Sequence, residues 1–191
     1  MSNFLNSGIG SRGLRNNNPG NLRMTNIKWQ GKIPNTQNTD GAFEQFTDVR
    51  FGIRALIKDI SGDIKNKGLN TIQLLINAYA PGSDGNNVNA YVNHVSSYTG
   101  IPITQIIGTS KSTIMSIVKA IVAMELGNTY ASKISQSDYN DAWWMHETGG
   151  RIDSGDLPNI VIDAAKKTCK YCGHVIVAVA LFFFTCYALT V

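Results

Sequence analysis

Cysteine is scarce in this chain and occurs only near its end. The three cysteines are Cys169, Cys172 and Cys186, so the first 168 residues contain no thiol. This excludes a fold held together by disulfide bonds for that part of the chain, because such scaffolds need several cysteine pairs. The first twelve residues also lack an apolar run, so we expect no secretory signal peptide.

Charged residues are also few, making up 16% of the sequence, and the net charge at pH 7 is a mild +4. A slightly basic protein suits a polyanion such as a cell wall, nucleic acid or anionic lipid, but the charge does not choose among these partners. The chain lacks the basic stripe expected of a nucleic-acid-binding protein. We therefore expect no specific nucleic acid as a partner. We also expect no cofactor and no metal.

Composition divides the chain into four segments. Residues 1–14 are polar and predict a flexible N-terminal segment, whereas residues 15–147 carry the apolar patterns of a globular domain. Residues 148–171 predict a linker and juxtamembrane segment. Residues 172–191 contain no acidic residue, lysine or arginine, and 20 residues is about the length of a membrane-spanning helix. They predict a transmembrane helix, with a buried core helix as the alternative.

Periodicity indicates the fold class. Residues 15–46 are rich in Asn, Gly and Pro, which favours short strands and turns. From Asp48 onward, apolar residues recur at helical spacing. Helices are predicted from Asp48 and at residues 71–79, 88–98, 111–126 and 137–146. We therefore predict an α+β, mainly α fold: a helical domain with a small β-rich lobe, plus a C-terminal transmembrane helix.

Glutamate is rarer than aspartate, with only Glu44, Glu125 and Glu147 in the chain. Glu125 follows Val118 by seven residues and Ile121 by four, so it continues the apolar stripe of the predicted helix 111–126. It also lies in the last turn, where the helix dipole disfavours an anion. Both effects favour a carboxyl group that keeps its proton, as a general acid for glycosidic cleavage must. The alternative is a glutamate that simply reaches solvent.

Asparagine is concentrated in residues 15–21, which read Arg-Asn-Asn-Asn-Pro-Gly-Asn. Asparagine side chains stabilise irregular loops by bonding to nearby backbone, so a structural turn is the simplest interpretation. Exposed amides would also suit the hydroxyl and acetamido groups of a sugar. Aromatic side chains that could stack on sugar rings, or belong to the core, are Trp29, Tyr79 and Tyr91.

These motifs together resemble a family of phage virion proteins and endolysin-like domains. The matching segments are RGLRNNNPGNLR at 12–23, Trp29-Gln30-Gly31, GAFEQF at 41–46, GIRAL at 52–56, NTIQLLINAYAP at 70–81, Asn86-Asn87, Tyr91, TGI at 99–101 and AIVAMELGN at 120–128. The resemblance covers residues 12–130, and its RNNNPGN string is quite specific.

That family is in turn similar to bacterial glucosaminidases and lytic transglycosylases of lysozyme-like fold. In those enzymes a helix ending in the catalytic glutamate precedes an Asn-Asn loop and a β-hairpin. The order is reversed here, as a circular permutation would explain. The resemblance implies a lysozyme-like domain with Glu125 as the general acid, although Leu126 stands where the family commonly has a polar residue.

The mechanism is left open by the sequence. Most glycosidases need a second carboxylate, about 6.5–9.5 Å from the acid for inversion or about 5–5.5 Å for retention. Asp40 and Glu44 flank the predicted hairpin and are the candidates. A lytic transglycosylase would need neither, because the substrate's own hydroxyl attacks. The residues expected to bind the sugar are Asn18, Asn21, Trp29, Tyr79, Asn87 and Tyr91.

The resemblance implies cleavage of peptidoglycan glycan strands, by lytic transglycosylase or muramidase/glucosaminidase chemistry. The enzyme would be a membrane-anchored phage virion protein, located in the virion membrane or the host inner membrane. Its partners would be peptidoglycan, a lipid membrane through residues 172–191, and capsid or other virion proteins. The alternative function is a non-catalytic structural virion membrane protein that binds cell wall or capsid.

A metal site near the C-terminus is the weaker interpretation of Cys169, Cys172 and His174. A structural zinc site takes four ligands, and no fourth is evident nearby. Thiols beside a membrane, in a reducing compartment or as a lipidation point, are the preferred interpretation.

Overall fold

Seven α-helices build the part of the chain that the structure, a computed structural model, describes, which is residues 2–150. They are α1 (Arg12–Arg15), α2 (Val49–Lys67), α3 (Ile72–Tyr79), α4 (Val88–Thr99), α5 (Lys111–Leu126), α6 (Asn128–Ala131) and α7 (Gln136–Thr148). Two short 3-10 helices lie at Asn35–Gln37 and Gly82–Asp84. Cys169, Cys172, His174 and the predicted transmembrane helix at residues 172–191 lie outside the described residues.

The longer helices begin at residues whose side chains cap them. Asp48 accepts a hydrogen bond from the Arg50 amide at the start of α2, and Ser110 accepts one from the Thr113 amide at the start of α5. These caps satisfy amides that have no partner in the first helical turn. The helices predicted from Asp48 and at 71–79, 88–98, 111–126 and 137–146 are confirmed, with ends that differ by at most two residues.

Helix α5 is central to the core. It packs against α2, α4, α6 and the short α1, while α7 lies along α2 and α3 packs on α4. The fully buried aliphatic side chains of the two long helices include Val49, Ile53, Leu56, Ile57, Ile60, Ile114, Ile117, Val118, Ile121 and Val122. Each such side chain stabilises the fold by about 1.5–3 kcal/mol relative to leaving it exposed. The continuous apolar surface of α5 therefore reflects its place between the other helices.

The predicted β-rich lobe is wrong. Residues 22–47, hereafter the irregular lobe, contain no strand, and extended pairing within residues 2–150 is limited to isolated bridges between Arg23 and Phe43 and between Lys32 and Phe46. The fold class is therefore corrected from α+β with a lysozyme-like β-lobe to a helical domain with an irregular lobe.

Residues 15–21 are hereafter called the asparagine loop. Their side-chain amides add hydrogen bonds to the few backbone pairs of the irregular lobe. Asn18 donates to the carbonyls of Leu22 and Glu44, and Asn17 donates to the carbonyl of Phe46. Both asparagines are fully buried. Asn17 also has a positive φ of 49°, which interrupts an extended strand. The backbone groups of the lobe are thus paired partly by side chains and partly by short backbone contacts, such as that of the Glu44 amide with the Leu22 carbonyl.

The asparagine loop rests closely on one face of α2. A side chain at Gly52 would collide with the backbone carbonyl of Asn17, and one at Gly20 would meet Leu56 Cδ2 at 2.8 Å and Tyr79 Oη at 2.9 Å. The two glycines therefore permit contacts that a larger residue would prevent. The loop is held at a fixed place against α2 and α3.

The expected membrane location also needs correction. None of the helices within residues 2–150 has the length and apolar character needed to cross a bilayer. The segment proposed to do so, residues 172–191, lies outside the described residues. A single-pass C-terminal anchor, and with it a location in the virion membrane or host inner membrane, is therefore not supported.

Candidate active site

A cleft of about 480 Å³ opens between the irregular lobe and the helices. Its walls are formed by Gly20, Asn21, Leu22, Arg23, Thr25, Ile27, Trp29, Phe43, Asp59, Asp63, Lys67, Ala78, Tyr79, Ala80, Asp84, Asn86 and Glu125. Polar and charged groups predominate in this list, and aromatic rings accompany them. Such a surface suits a polar ligand better than a purely apolar one.

Glu125 lines this cleft from the last turn of α5. Asn21 Nδ2 donates a hydrogen bond of 2.8 Å to one carboxyl oxygen, and Tyr91 Oη donates one of 2.8 Å to the other. The side chain is half-buried. Asn21 and Glu125 are 104 residues apart in the sequence, so the fold brings the asparagine loop and the end of α5 together.

Two tyrosines stand beside Glu125. Tyr91 is buried, and its ring packs edge-on against the ring of Tyr79, with centroids 6.3 Å apart. Burial raises the pKa of Tyr91 far above its usual value, and the neighbouring Tyr79 and Glu125 raise it further. Tyr91 therefore keeps its proton at any physiological pH. Its hydroxyl can donate to the ionised carboxylate of Glu125 or turn to accept from the protonated acid.

Tyr79 joins α3 to the asparagine loop. Its hydroxyl donates to the carbonyl of Gly20. Burial raises the pKa of Tyr79 well above its usual value, and the charges of Glu125 and Asp59 contribute in the same direction. Tyr79 is thus a neutral donor that holds the loop while its ring forms part of the cleft wall.

No protein-family model matches the chain. Over 121 residues the chain is 32% identical to Protein P5 of Pseudoalteromonas phage PM2, and the alignment covers 62% of this chain and 72% of that protein. The chain belongs to the Protein P5 family. A phage relative agrees with the phage part of the resemblance drawn from residues 12–130. The name Protein P5 specifies no activity, so any chemistry assigned to this member of the family depends on the cleft.

In this member of the Protein P5 family, Asp40 does not line the cleft. Asp40 pairs with Arg12 at 2.7 Å and accepts a hydrogen bond from Asn16. Desolvation raises the pKa of Asp40, but hydrogen bonds from Arg12, Asn16 and the amides of Phe43 and Ala42 outweigh it, so the pKa lies well below its usual value. Asp40 is therefore an ionised carboxylate that organises the irregular lobe.

Glu44 is likewise paired with residues of the irregular lobe. Its side chain is fully buried and pairs with Lys32 at 2.8 Å. It also accepts hydrogen bonds from the amide and the hydroxyl of Thr25, each at 2.9 Å. Neither Glu44 nor Asp40 belongs to the cleft lining, so the structure does not place either predicted second carboxylate beside Glu125.

The predicted sugar-binding residues fall into two groups. Asn21, Trp29 and Tyr79 line the cleft, and Tyr91 contacts Glu125 directly. The other two do not line it: Asn18 is buried in the asparagine loop, and Asn87 caps α4 by accepting a hydrogen bond from the Ala90 amide. The neighbour of Asn87, Asn86, reaches the cleft instead.

Leu126 has a structural role. Its side chain is 7% exposed, and its Cδ2 lies 2.7 Å from where a side chain at Gly13 would begin. Leu126 thus packs against α1 and is absent from the cleft lining. The apolar residue after Glu125 fixes the end of α5 without altering the polar wall.

Sequence reasoning missed five charged residues of the cleft, which are Arg23, Asp59, Asp63, Lys67 and Asp84. Arg23 pairs with Asp84 at 3.2 Å, and Asp63 pairs with Lys67 at 2.6 Å. Within residues 2–150, no cluster of three or more histidine, cysteine or acidic side chains is arranged to hold a metal ion.

A signal for the two acidic residues of α2 exists in the sequence. Gly52, Leu56, Asp59 and Asp63 are spaced four, three and four residues apart, which places them on one face of a helix. Gly52 and Leu56 contact the asparagine loop, so the same face leads directly to Asp59 and Asp63 in the cleft.

Proposed function

We propose that this protein cleaves the glycan strands of peptidoglycan, with Glu125 as the general acid. The observation that carries the proposal is the position of Glu125, which lines the cleft while Asn21 and Tyr91 hold its two oxygens. Proton transfer to a glycosidic oxygen requires a carboxyl group of fixed orientation within hydrogen-bond reach of the substrate. The tyrosine can serve both protonation states of the acid, as a catalytic cycle demands.

The cleft matches a glycan in size and chemistry. Its volume of about 480 Å³ falls in the range of about 300–1,000 Å³ that is usual for ligand sites. Trp29 and Tyr79 offer aromatic surface for sugar rings, and Asn21, Arg23 and Asn86 offer hydrogen-bonding groups. Peptidoglycan presents hydroxyl, acetamido and carboxylate groups, so the amide and guanidinium groups of these three wall residues have counterparts in the substrate.

The phage relative supports a biological setting for this chemistry. In our proposal the protein is part of the phage particle, in contact with capsid or other virion proteins, and opens the host wall locally. The same acid could serve a hydrolase of muramidase or glucosaminidase type or a lytic transglycosylase. The two differ in what attacks the sugar: water in the first, the substrate's own hydroxyl in the second.

The test uses the full-length chain on purified peptidoglycan, with turbidity loss and zymography as measurements. We expect the parent protein to clear the substrate and Glu125→Gln to lower the rate by about 100-fold or more, since general acid catalysis contributes about 10²–10⁴-fold. Glu147→Gln is the matched control, because Glu147 is exposed and does not line the cleft. Equal activity in parent and Glu125→Gln would show that another group is the acid.

A second candidate is a non-catalytic phage protein that binds cell wall or capsid. It is favoured by one observation: both oxygens of Glu125 already accept hydrogen bonds within the protein, as in a purely structural tie. Co-sedimentation with insoluble peptidoglycan separates the two candidates. Binding by the parent protein without any soluble product, by chromatography of the supernatant, would support the structural role and end the enzymatic proposal.

A further inference from the structure

We infer that Asp59 is a second catalytic carboxyl group, the base that activates the attacking water in the reaction proposed above. The inference rests on that proposed function and assigns its mechanism as hydrolysis. It replaces Asp40 and Glu44, which the structure ties into the irregular lobe.

The positions of Asp59 and Glu125 support this inference. Asp59 on α2 and Glu125 on α5 line the same cleft. Both carboxylates also act on the hydroxyl of Tyr79, since the charge of each contributes to its raised pKa. A carboxyl group from each of the two helices therefore lies near Tyr79. Glycoside hydrolysis uses two carboxyl groups that flank the bond to be cleaved, and a cleft lined by both groups can hold a glycan between them.

Among the described residues, the carboxylate of Asp59 is free to act as a base, unlike its acidic neighbours. Asp63 is held by Lys67 at 2.6 Å and Asp84 by Arg23 at 3.2 Å. Asp59 also lines the cleft, and it makes no hydrogen bond or ion pair with any residue from 2 to 150. A base must present a free lone pair to the water it deprotonates. Asp59 meets that condition.

The surroundings of Asp59 also suit a general base. Asp59 is half-buried. Burial raises its pKa, the charge of Asp63 one turn away raises it further, and Lys67 lowers it in part. A carboxylate with a raised pKa takes up a proton more readily than an ordinary aspartate, which is the property required of a general base. The environment of Asp40 has the opposite effect on the pKa of that group.

Asp59 and Glu125 are both held in place through the asparagine loop. Gly52 and Leu56, on the same face of α2 as Asp59, contact the asparagine loop. The loop in turn holds Glu125 through Asn21. The two carboxyl groups are therefore positioned through one shared element, and catalytic geometry depends on such support.

The chemical step is a single displacement at the anomeric carbon. Glu125 gives its proton to the glycosidic oxygen as the bond from that oxygen to the anomeric carbon breaks. Water forms the new bond to the same carbon and loses a proton to Asp59. The leaving sugar departs as an alcohol and the other product is a hemiacetal. Asp59 then returns its proton to solvent, and Glu125 takes one up.

The experiment compares the full-length parent, Asp59→Asn and Glu147→Gln on purified peptidoglycan. Products are reduced with borohydride and identified by mass spectrometry, and their initial anomeric form is read by NMR. We expect the parent to release hydrolysed, reducible ends with inverted configuration, and Asp59→Asn to be slower by about 100-fold or more. We expect Glu147→Gln to match the parent.

Azide provides a readout that a folding defect could not produce. Asp59→Ala leaves space beside the anomeric carbon, and azide is an anion that attacks without a base. We expect millimolar azide to restore cleavage by Asp59→Ala, with a glycosyl azide as product, and to leave the parent rate unchanged. Circular dichroism of each variant records whether it is folded.

The outcomes separate the two proposals. A parent protein without any cleavage overturns the proposed function itself. A parent that cleaves while Asp59→Asn keeps its full rate overturns only the assignment of Asp59. Release of 1,6-anhydro sugars, or of products with retained configuration, also overturns it, because neither reaction uses a base that activates water in the first step.

Discussion

Tyr91 acts on the candidate site through a single polar contact. Its hydroxyl donates to Glu125 over 2.8 Å, and its ring is buried against Tyr79. Removal of the hydroxyl would leave the ring packing intact but would remove one of the two donors that orient the carboxyl group. Tyr91 is therefore a positioning residue, and its contribution to activity can be separated from its contribution to the core.

Tyr91→Phe is expected to lower the rate of peptidoglycan clearance by about 10–100-fold, because a hydrogen bond to a charged group is worth about 1.5–3 kcal/mol. Tyr98→Phe, on the same helix but 51% exposed, should leave the rate unchanged. Clearance rates and thermal unfolding are measured for both variants. A Tyr91→Phe protein with parental stability and parental rate would contradict the role given to this hydroxyl.

Single residues differ in how far the sequence reveals them. Glu125 was predicted because a lone glutamate in an apolar helix is conspicuous. Asp59 was missed because α2 also carries exposed charges such as Lys58 and Lys65, and a charge on an amphipathic helix is normally a solvated one. Only the contact between α2 and the asparagine loop shows that this part of the helix faces a cleft.

Whole helices were predictable because their signals are local. Asp48 and Ser110 cap α2 and α5 within three residues of themselves, and glycine follows both helices. The irregular lobe was not predictable in the same way. Its order comes from contacts such as that of Asn18 with the Glu44 carbonyl, 26 residues away. Turn-rich composition is compatible with strands or with such a network, and long-range hydrogen bonds decide between them.

The close packing of α2 on the asparagine loop predicts opposite effects for two glycines of the same helix. Gly52→Ala should lower the free energy of unfolding by about 1–3 kcal/mol, because the methyl group would overlap the Asn17 carbonyl. Gly62→Ala should raise it by up to about 1 kcal/mol, since alanine favours helix and the nearest atom, Asn66 Nδ2, is 3.8 Å away. Thermal unfolding followed by circular dichroism checks both, and equal shifts would contradict the packing.

At the scale of the whole described domain, the first residues connect distant parts. The Phe4 amide donates to Asn17 Oδ1 at 2.9 Å, and Asn17 Nδ2 donates to Asn3 at 2.7 Å. The Ser2 amide donates to Asp138 near the start of α7, and the ring of Phe4 packs against the core. These contacts link α7 to the asparagine loop, and so to the residues that hold Glu125.

Deletion of residues 2–8 therefore tests whether the predicted flexible segment is structural. Loss of the Phe4 amide leaves Asn17 Oδ1 without its donor, at a cost of about 1–3 kcal/mol for a buried polar group. At roughly 2–4 °C per kcal/mol for a domain of this size, the melting temperature of the full-length protein should fall by several degrees. Gly8→Ala is the control, because a methyl group there meets nothing within 4 Å. A deletion variant that melts with the parent and clears peptidoglycan at the parental rate would mean that these contacts add nothing to the fold, and that the asparagine loop is held by α2 and the irregular lobe alone.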